Sequence, residues 1–291
     1  MEMYDLTLPR WLNYCKAMVE VKDVDPVYDG LTGAKEEIGH EQLCNFLVSF
    51  SLFYSMEESC KIVSNKIPTV LMWDFMIEHY KYMKRGKARR YFRGQAGLDC
   101  LHYLKTHFVS PVQFVELMYA PDYKGIMRNF EPVPAFGGYH TWKWLDFYER
   151  VLGKPVELDY ELGAKVLPSE PTKGARLVHL EMCPHKPFDL ESILRYMVNE
   201  CRELGLKAPP YDGRLVGIQE IETMLCGIVH MYKGKHVDYI GKDVAEKYLD
   251  VERIGEADND WLLKHMPQPM SKELTFTDPY FNNTFSLMDI L

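Results

Sequence analysis

Apolar residues recur at helical spacing through most of the first 160 positions. Between positions 39 and 64 they include Leu43, Phe46 and Phe50, a three-to-four-residue spacing that predicts a strongly buried helix, followed by a second helix around Cys60. No segment before position 159 alternates apolar and polar residues as a half-buried strand would. Further helices are predicted at 6–21, 68–80, 98–108 and 111–119.

Proline and glycine punctuate the pattern in two longer stretches. Positions 23–33 contain Asp25-Pro26 and Asp29-Gly30, which predict a loop. Positions 163–178 contain Pro168, Pro171 and Gly174, which predict an irregular loop with a short strand at 175–180. Helices are predicted again at 188–204, where Gly205 provides a stop, and at 217–232.

This pattern predicts a mainly α fold in three parts. The first is a helical core at 1–160, which includes a hairpin at the paired glycines 137 and 138 (the glycine hairpin). The second is a helical part at 161–266 that completes the core, and the third is an extended tail at 267–291. A chain of 291 residues that is 47% hydrophobic can bury a sizeable core. Without a membrane-spanning run or a leader pattern, and with seven scattered cysteines, the expectation is a cytoplasmic protein with reduced thiols and no membrane partner.

Positive charge is concentrated in one short segment of an acidic chain. The formal net charge is −8, yet positions 81–93 carry no acidic residue and interleave cations with aromatic rings. Such a run can neutralise phosphates and stack on bases, which predicts a phosphate-binding segment. The alternative is a solvated helix end whose cations complement the helix dipole. The candidate phosphate ligands are Lys81, Arg85, Arg89, Arg90 and Arg93.

The stretch 130–159 combines a tight turn, an amphipathic segment and a carboxylate. Gly137 and Gly138 allow backbone N–H groups to approach a ligand, and helical spacing begins at Thr141. The helix is predicted to stop at Gly153-Lys154-Pro155, which places Asp159 just beyond its end. The alternative is an ordinary glycine-rich turn between two helices, followed by a solvated aspartate.

This arrangement resembles the helix-hairpin-helix region of the DNA base-excision glycosylase superfamily. The resemblance implies a mainly α, glycosylase-like fold in which Gly137, Gly138 and the nearby Lys143 hold DNA phosphates and Asp159 is the catalytic aspartate. Tyr139 stands about where lyase-type members carry a lysine.

Three segments in order, at 73–81, 136–146 and 218–226, resemble a narrower family. It is the helical family of phage thymine-hypermodification enzymes called α-glutamyl/putrescinyl thymine pyrophosphorylases, also described as amino acid:DNA transferases. The residues that match the family pattern are Glu78 with Lys81, the paired glycines with Trp142 and Asp146, and Glu222 with Leu225 and Cys226.

The resemblance implies that an amine displaces pyrophosphate from a 5-pyrophosphoryloxymethyl group on a thymine analogue in DNA. The amine is a polyamine or an amino acid such as glycine, and Mg²⁺ accompanying the pyrophosphate would be chemically reasonable. The clustered cations would take up the charge of the leaving group, and the base would leave the stack to be reached. Proton acceptors would come from Glu78, Asp146, Asp159 and His140, and stacking rings from Tyr139, Trp142 or Trp144.

The sequence also allows other interpretations of these residues. Trp142 can be a core residue, Cys226 a packed thiol and His140 a satisfied loop histidine, while Asp146 can pair with Arg150 one turn later. For the whole chain, the alternatives are a helix-hairpin-helix DNA glycosylase that uses Asp159, or a non-catalytic DNA-binding partner of a base kinase.

Overall fold

A computed structural model of the chain describes residue 5 and residues 7–86, 92–235 and 240–269, with the backbone alone at positions 139, 234, 235 and 256. The chain divides into two compact units. The hairpin unit consists of Val27–Asp159 and Tyr248–Met266, and the second unit of residues up to Pro26 together with Tyr160–Lys247. The helices are α1 (Arg10–Glu20), α2 (Pro26–Phe53), α3 (Met56–Ser64), α4 (Met72–His79), α5 (Gly94–His107), α6 (Pro111–Met118), α7 (Tyr123–Phe130), α8 (Gly138–Asp146), α9 (Tyr160–Val166), α10 (Ser169–Met182), α11 (Leu190–Glu203), α12 (Ile218–His230), α13 (Lys242–Glu252) and α14 (Glu256–Leu263).

The predicted mainly α class is confirmed. Within the described residues no strand forms, and β pairing is limited to two isolated bridges, Asp122 with Glu157 and Lys207 with Leu215. None of the described helices is long and apolar enough to cross a membrane. The glycosylase-like scaffold stays a prediction, and the tail predicted at 267–291 lies outside the described residues from position 270 onward.

The loop predicted at 23–33 is wrong, because α2 already begins at Pro26. Proline is well suited to the first turn of a helix, where its missing N–H leaves no hydrogen bond unmade. Gly30 and Gly33 provide room for close packing and do not end the helix. A Cβ on Gly30 would lie 2.8 Å from Met266 Cγ, and one on Gly33 would lie 2.9 Å from His265.

The loop and strand predicted at 163–180 are also wrong, since α9 and α10 cover most of this stretch. Pro168 is the N-cap of α10 and Pro171 lies in its first turn, where proline is tolerated. Gly174 lies where α10 crosses α12, and a Cβ there would come within 2.2 Å of the carbonyl oxygen of Leu225. The two prolines therefore lie at the start of a helix, and Gly174 allows two helices to pack closely.

The hairpin unit is organised around Phe114 on α6. Its ring meets the rings of Phe108 at 5.0 Å, Trp144 at 5.4 Å and Phe130 at 5.7 Å, all nearly edge to face. This geometry suits the aromatic quadrupole and adds to the stabilisation that burial provides. Trp144 belongs to α8, so this aromatic core holds α8 against α6 and α7.

Asp23 caps the N-terminus of α13 in the second unit. The carboxylate is 1% exposed and accepts the N–H groups of Gly241 and Val244, each at 2.8 Å. Burial raises the pKa of Asp23 to about 7, with the carboxylate of Asp243 adding to the rise, although the N–H donors oppose it.

This raised pKa predicts a stability that falls as the pH rises. The folded-state pKa lies above the unfolded value of about 4. The contribution of Asp23 to the free energy of unfolding is therefore fully present below about pH 4 and is lost as the pH rises through about 7. One such proton gives a slope of at most about 1.4 kcal/mol per pH unit. Urea unfolding across this range should show a shallower slope for Asp23→Asn than for the wild type.

The matched control is Asp189→Asn, at the exposed N-cap of α11 in the same unit. Its carboxylate accepts the N–H and hydroxyl of Ser192, and these bonds lower the pKa of Asp189. Its titration therefore lies below the range of interest, and the slope above about pH 5 should match that of the wild type. Equal slopes for Asp23→Asn and the wild type would contradict the assignment.

Candidate functional site

The last turn of α2 brings together the basic run and the glycine hairpin. The backbone N–H of Gly86 donates to the carbonyl of Phe53 at 2.8 Å, and the guanidinium of Arg85 lies 5.6 Å from the centre of the Phe53 ring. Two residues earlier in α2, Ser51 Oγ lies 2.6 Å from Nε2 of His140, in the first turn of α8. Two predicted DNA-contacting segments, separated by about 50 positions in the sequence, therefore contact the same helix end.

The hairpin presents the N-terminus of α8. Gly137 is the N-cap and Gly138 is the first helical residue. The first N–H groups of a helix have no partner within the helix and carry positive partial charge, which suits an anion. Gly137 has an ordinary φ of −93° and a Cβ on it would meet nothing within 4 Å, so local sterics do not require glycine at this position.

His140 is held on two sides. Its ring stacks on Phe136 with centres 4.0 Å apart and an interplanar angle of 10°, while Nε2 faces Ser51. Ser51 Oγ also accepts the indole N–H of Trp144 at 2.9 Å. Sequence reasoning missed Ser51 as a member of this site, and it assigned Trp144 to base stacking, whereas Trp144 is buried and donates to Ser51. The available signal was a pair of serines at 49 and 51 inside an otherwise apolar helix.

The cations of the basic run (positions 81–93) differ in their exposure and in their contacts. Lys81 and Arg93 are exposed, whereas Lys84 pairs with Glu57. Arg85 donates to the carbonyls of Tyr80 and Met83 at 2.5 and 3.0 Å and lies 4.1 Å from the centre of the Tyr80 ring. Arg85 therefore holds the turn after α4 in place. The predicted ligands Arg89 and Arg90 lie outside the described residues.

Asp146 lies in a buried cluster of charges. It is 0% exposed, and its oxygens lie 3.5 Å from Lys143 Nζ and 3.4 Å from Arg150 Nη2. The Arg150 guanidinium is itself buried over the ring of Tyr28, at 5.3 Å. The pairing with Arg150 that the sequence suggested is confirmed, and solvent does not reach this carboxylate in the structure.

The other predicted carboxylates are accessible. Glu78 is exposed on the last turn of α4. Asp159 is 30% exposed and lies 3.0 Å from Lys124 Nζ, close to the start of α7. Glu157 is bonded through its backbone to Pro121 and Tyr123, which fixes the approach to Asp159.

The predicted stacking residues do not present an accessible ring in the described part of the hairpin unit. Trp142 is 0% exposed and packs edge to face on Tyr123 at 5.4 Å, as the core interpretation expected. The side chain of Tyr139 lies outside the described residues. Tyr82, within the basic run, is instead 82% exposed.

Glu222 and Cys226 belong to the second unit, on α12. Glu222 is 2% exposed, and Cys226 is a half-buried cysteine. The neighbouring Glu220 accepts hydrogen bonds from the guanidinium of Arg214 at 2.6 Å and from the backbone N–H of Gly217 at 2.7 Å. The second of these bonds helps to cap the N-terminus of α12. Neither family-motif residue is part of the hairpin unit. Across the described ranges, no group of three or more His, Cys, Asp or Glu side chains is arranged to hold a metal ion.

Comparison with known proteins reveals relatives from phages. The chain is 36% identical over 270 residues to a protein named putrescinyltransferase from Delftia phage PhiW-14, covering 91% of this chain and 85% of that protein. It is 23% identical over 233 residues to a glycinyltransferase from Pseudomonas phage PaMx11, covering 70% and 77% of the two chains. No protein-family model matches.

Proposed function

Because this chain belongs to the family of phage thymidine-hypermodification transferases, we propose that it joins an amine to an activated thymine in DNA. The acceptor in this proposal is 5-pyrophosphoryloxymethyl-deoxyuridine, and the leaving group is pyrophosphate. The observation that carries the proposal is the meeting of the glycine hairpin and the basic run at the end of α2 in a chain with these relatives.

Of the amine classes considered, we favour a diamine over an amino acid. The relative named putrescinyltransferase is more similar and matches more of the chain than the one named glycinyltransferase. Putrescine carries two ammonium groups at neutral pH, so one must lose its proton to become nucleophilic while the other can be recognised as a cation.

The proposed step forms one bond and breaks one. The amine nitrogen attacks the exocyclic carbon, the carbon–oxygen bond breaks, and its electron pair leaves with pyrophosphate. Charge develops on the leaving oxygen, and groups fixed in advance around that position lower the barrier. We assign this role to the N-terminus of α8 at Gly137 and Gly138, together with the exposed Lys81 and Arg93.

The amine must lose one proton before attack and another afterwards. The accessible candidates are Glu78 and Asp159 among the carboxylates, together with the half-buried His140. Asp146 is enclosed by Lys143 and Arg150, so its position favours a supporting role, in which it holds the cations on α8 and the turn that follows.

In the described part of the basic run, the ring of Tyr82 is accessible for stacking on a base, whereas that of Phe92 is buried. Stacking on an aromatic side chain contributes about 1–3 kcal/mol per base. Tyr82→Ala should therefore weaken the binding of single-stranded DNA about tenfold, measured by fluorescence anisotropy at one salt concentration. Tyr82→Phe keeps the ring and should bind like the wild type. Wild-type affinity in the alanine variant would contradict this role.

Intact-mass analysis of an oligonucleotide carrying 5-pyrophosphoryloxymethyl-uracil tests the proposal. After incubation with the protein and putrescine, the expected mass corresponds to one amine added and pyrophosphate lost. Parallel reactions with glycine and glutamate should leave most of the substrate unchanged. Base loss would indicate a glycosylase, and an unchanged mass with every amine would contradict the transferase proposal.

A further inference from the structure

Ser51 connects two side chains of α8 inside the hairpin unit. Its side chain is completely buried, as is that of Trp144. The Ser51 hydroxyl oxygen lies 2.9 Å from Trp144 Nε1 and 2.6 Å from His140 Nε2. Because the His140 ring also stacks on Phe136, its plane and one of its nitrogens are fixed by neighbours.

The hydrogen-bonding capacities of these groups indicate a direction for the chain of bonds. An indole nitrogen only donates, so Ser51 Oγ accepts from Trp144. N–H donors usually bond at 2.9–3.0 Å, as Trp144 does, whereas hydroxyl donors bond at shorter distances. The 2.6 Å separation to His140 therefore favours the Ser51 hydroxyl as donor and Nε2 as acceptor.

We propose that Ser51, anchored by Trp144, holds His140 neutral with its proton on Nδ1, so that His140 donates a hydrogen bond to the departing pyrophosphate. This assignment rests on the proposed transferase function. It changes the role of His140 from proton acceptor to anion-binding donor, and it makes Ser51 and Trp144 positioning residues.

The position of His140 in α8 supports the neutral form. It is the third residue of the helix, close to the positive end of the helix dipole, which disfavours an imidazolium there. During transfer the proton stays on Nδ1, while the hydrogen bond strengthens as the electron pair of the breaking carbon–oxygen bond moves to the leaving oxygen. The two amine protons then go to carboxylates, for which Glu78 and Asp159 are the accessible candidates.

Nitrogen-15 NMR of the histidine rings in the full-length protein tests the tautomer directly, since protonated and unprotonated ring nitrogens resonate far apart. The chain contains its own references, because a carbonyl can only accept. His79 and His107 each place Nδ1 2.8 Å from a backbone carbonyl, a geometry in which the tautomer with its proton on Nδ1 makes the hydrogen bond. His179 bonds the carbonyl of Lys186 through Nε2 at 2.9 Å, so Nε2 is protonated.

The His140 signals, assigned by their loss in His140→Gln, should match those of His79 and His107. Ser51→Ala should move them toward the pattern of His179 or toward a mixture of tautomers. A wild-type His140 protonated on Nε2 would overturn the proposal, as would a Ser51→Ala variant with an unchanged pattern. The wild-type spectrum alone decides the tautomer, so the proposal remains testable if the buried variant fails to fold.

Transfer assays test the donor role. Removing one preorganised donor costs roughly 10²–10³ in rate, so His140→Ala should slow transfer by about that factor. His140→Gln keeps an N–H donor but no basic nitrogen, and it should retain activity within about tenfold of the wild type. A glutamine variant as slow as the alanine variant would overturn the donor role. If the wild type itself fails to modify the oligonucleotide, the proposed function fails, while the tautomer is still read from the spectrum.

Discussion

Replacing Asp146 by asparagine is expected to lower the free energy of unfolding by about 3–5 kcal/mol, because it removes a negative charge from a buried cluster that contains the cations of Arg150 and Lys143. Arg150 is completely buried at 3.4 Å from the carboxylate, and Lys143 is 14% exposed at 3.5 Å. Removing one partner of a buried ion pair costs far more than the pair contributes to stability, since the remaining ion stays desolvated. Urea unfolding monitored by tryptophan fluorescence measures the loss.

Asp74→Asn is the matched control for Asp146→Asn in the same unit. Asp74 pairs with Lys105, but the two side chains are 50% and 48% exposed. An exposed pair is screened by water and contributes less than about 1 kcal/mol, so the control should be close to the wild type. Equal losses for the two variants would contradict the importance we assign to burial.

Activity measurements on Asp146→Asn distinguish a structural role of this carboxylate from a role in proton transfer. At a temperature where the variant is folded, we expect transfer per folded molecule to stay within about tenfold of the wild type, because solvent does not reach this carboxylate. Loss of a general base typically costs roughly 10²–10⁴ in rate. A fall of that size in folded protein would identify Asp146 as the proton acceptor and overturn the supporting role.

Gly174→Ala is expected to destabilise the second unit by about 3 kcal/mol. The new Cβ would lie 2.2 Å from the carbonyl oxygen of Leu225 and 2.9 Å from its carbonyl carbon, so backbone must move to relieve the contact. Alanine is a better helix former than glycine by about 1 kcal/mol, and this gain is too small to offset a forced separation of α10 and α12.

Gly213→Ala provides the comparison for Gly174→Ala, because a Cβ at Gly213 would meet nothing within 4 Å. Its unfolding free energy should change by less than about 0.5 kcal/mol. Chemical denaturation of both variants measures the difference. A Gly174→Ala protein as stable as the wild type would show that the two helices can separate at no cost.

The helical segments with strong apolar periodicity were the predictable part of the fold. The pattern around Phe46 and Phe50 is confirmed as part of α2, and the predicted stop near Gly205 agrees with the end of α11 at Glu203. The α11 helix buries one face, whose spacing is visible in the sequence, whereas α2 is buried on every side from Leu43 to Phe53 and shows there as an almost continuous apolar run. The sequence misled where glycine and proline serve helix packing and helix starts, as at Gly174 and Pro26.

The sequence identified the segments that form the candidate site, but it did not predict that they would meet at the end of α2. Local composition identified the basic run and the glycine hairpin, because clustered cations and paired glycines have chemical meaning wherever they lie. Their common contact with the end of α2 depends on Gly86 meeting Phe53 and on Ser51 meeting His140. No spacing along the chain encodes such pairs.

The helical class, which the structure confirms, and the resemblance to phage DNA-modifying transferases, which the relatives support, could be read from the sequence alone, as could the segments for which DNA binding is predicted. Which charged side chains remain accessible to solvent depends on the tertiary structure. Glu78 and Lys81 lie at the surface, whereas Asp146 and Arg150 neutralise each other in the interior. The physical reason is that the burial and charge partners of a side chain depend on packing between distant segments, whereas its chemical type depends on the sequence alone.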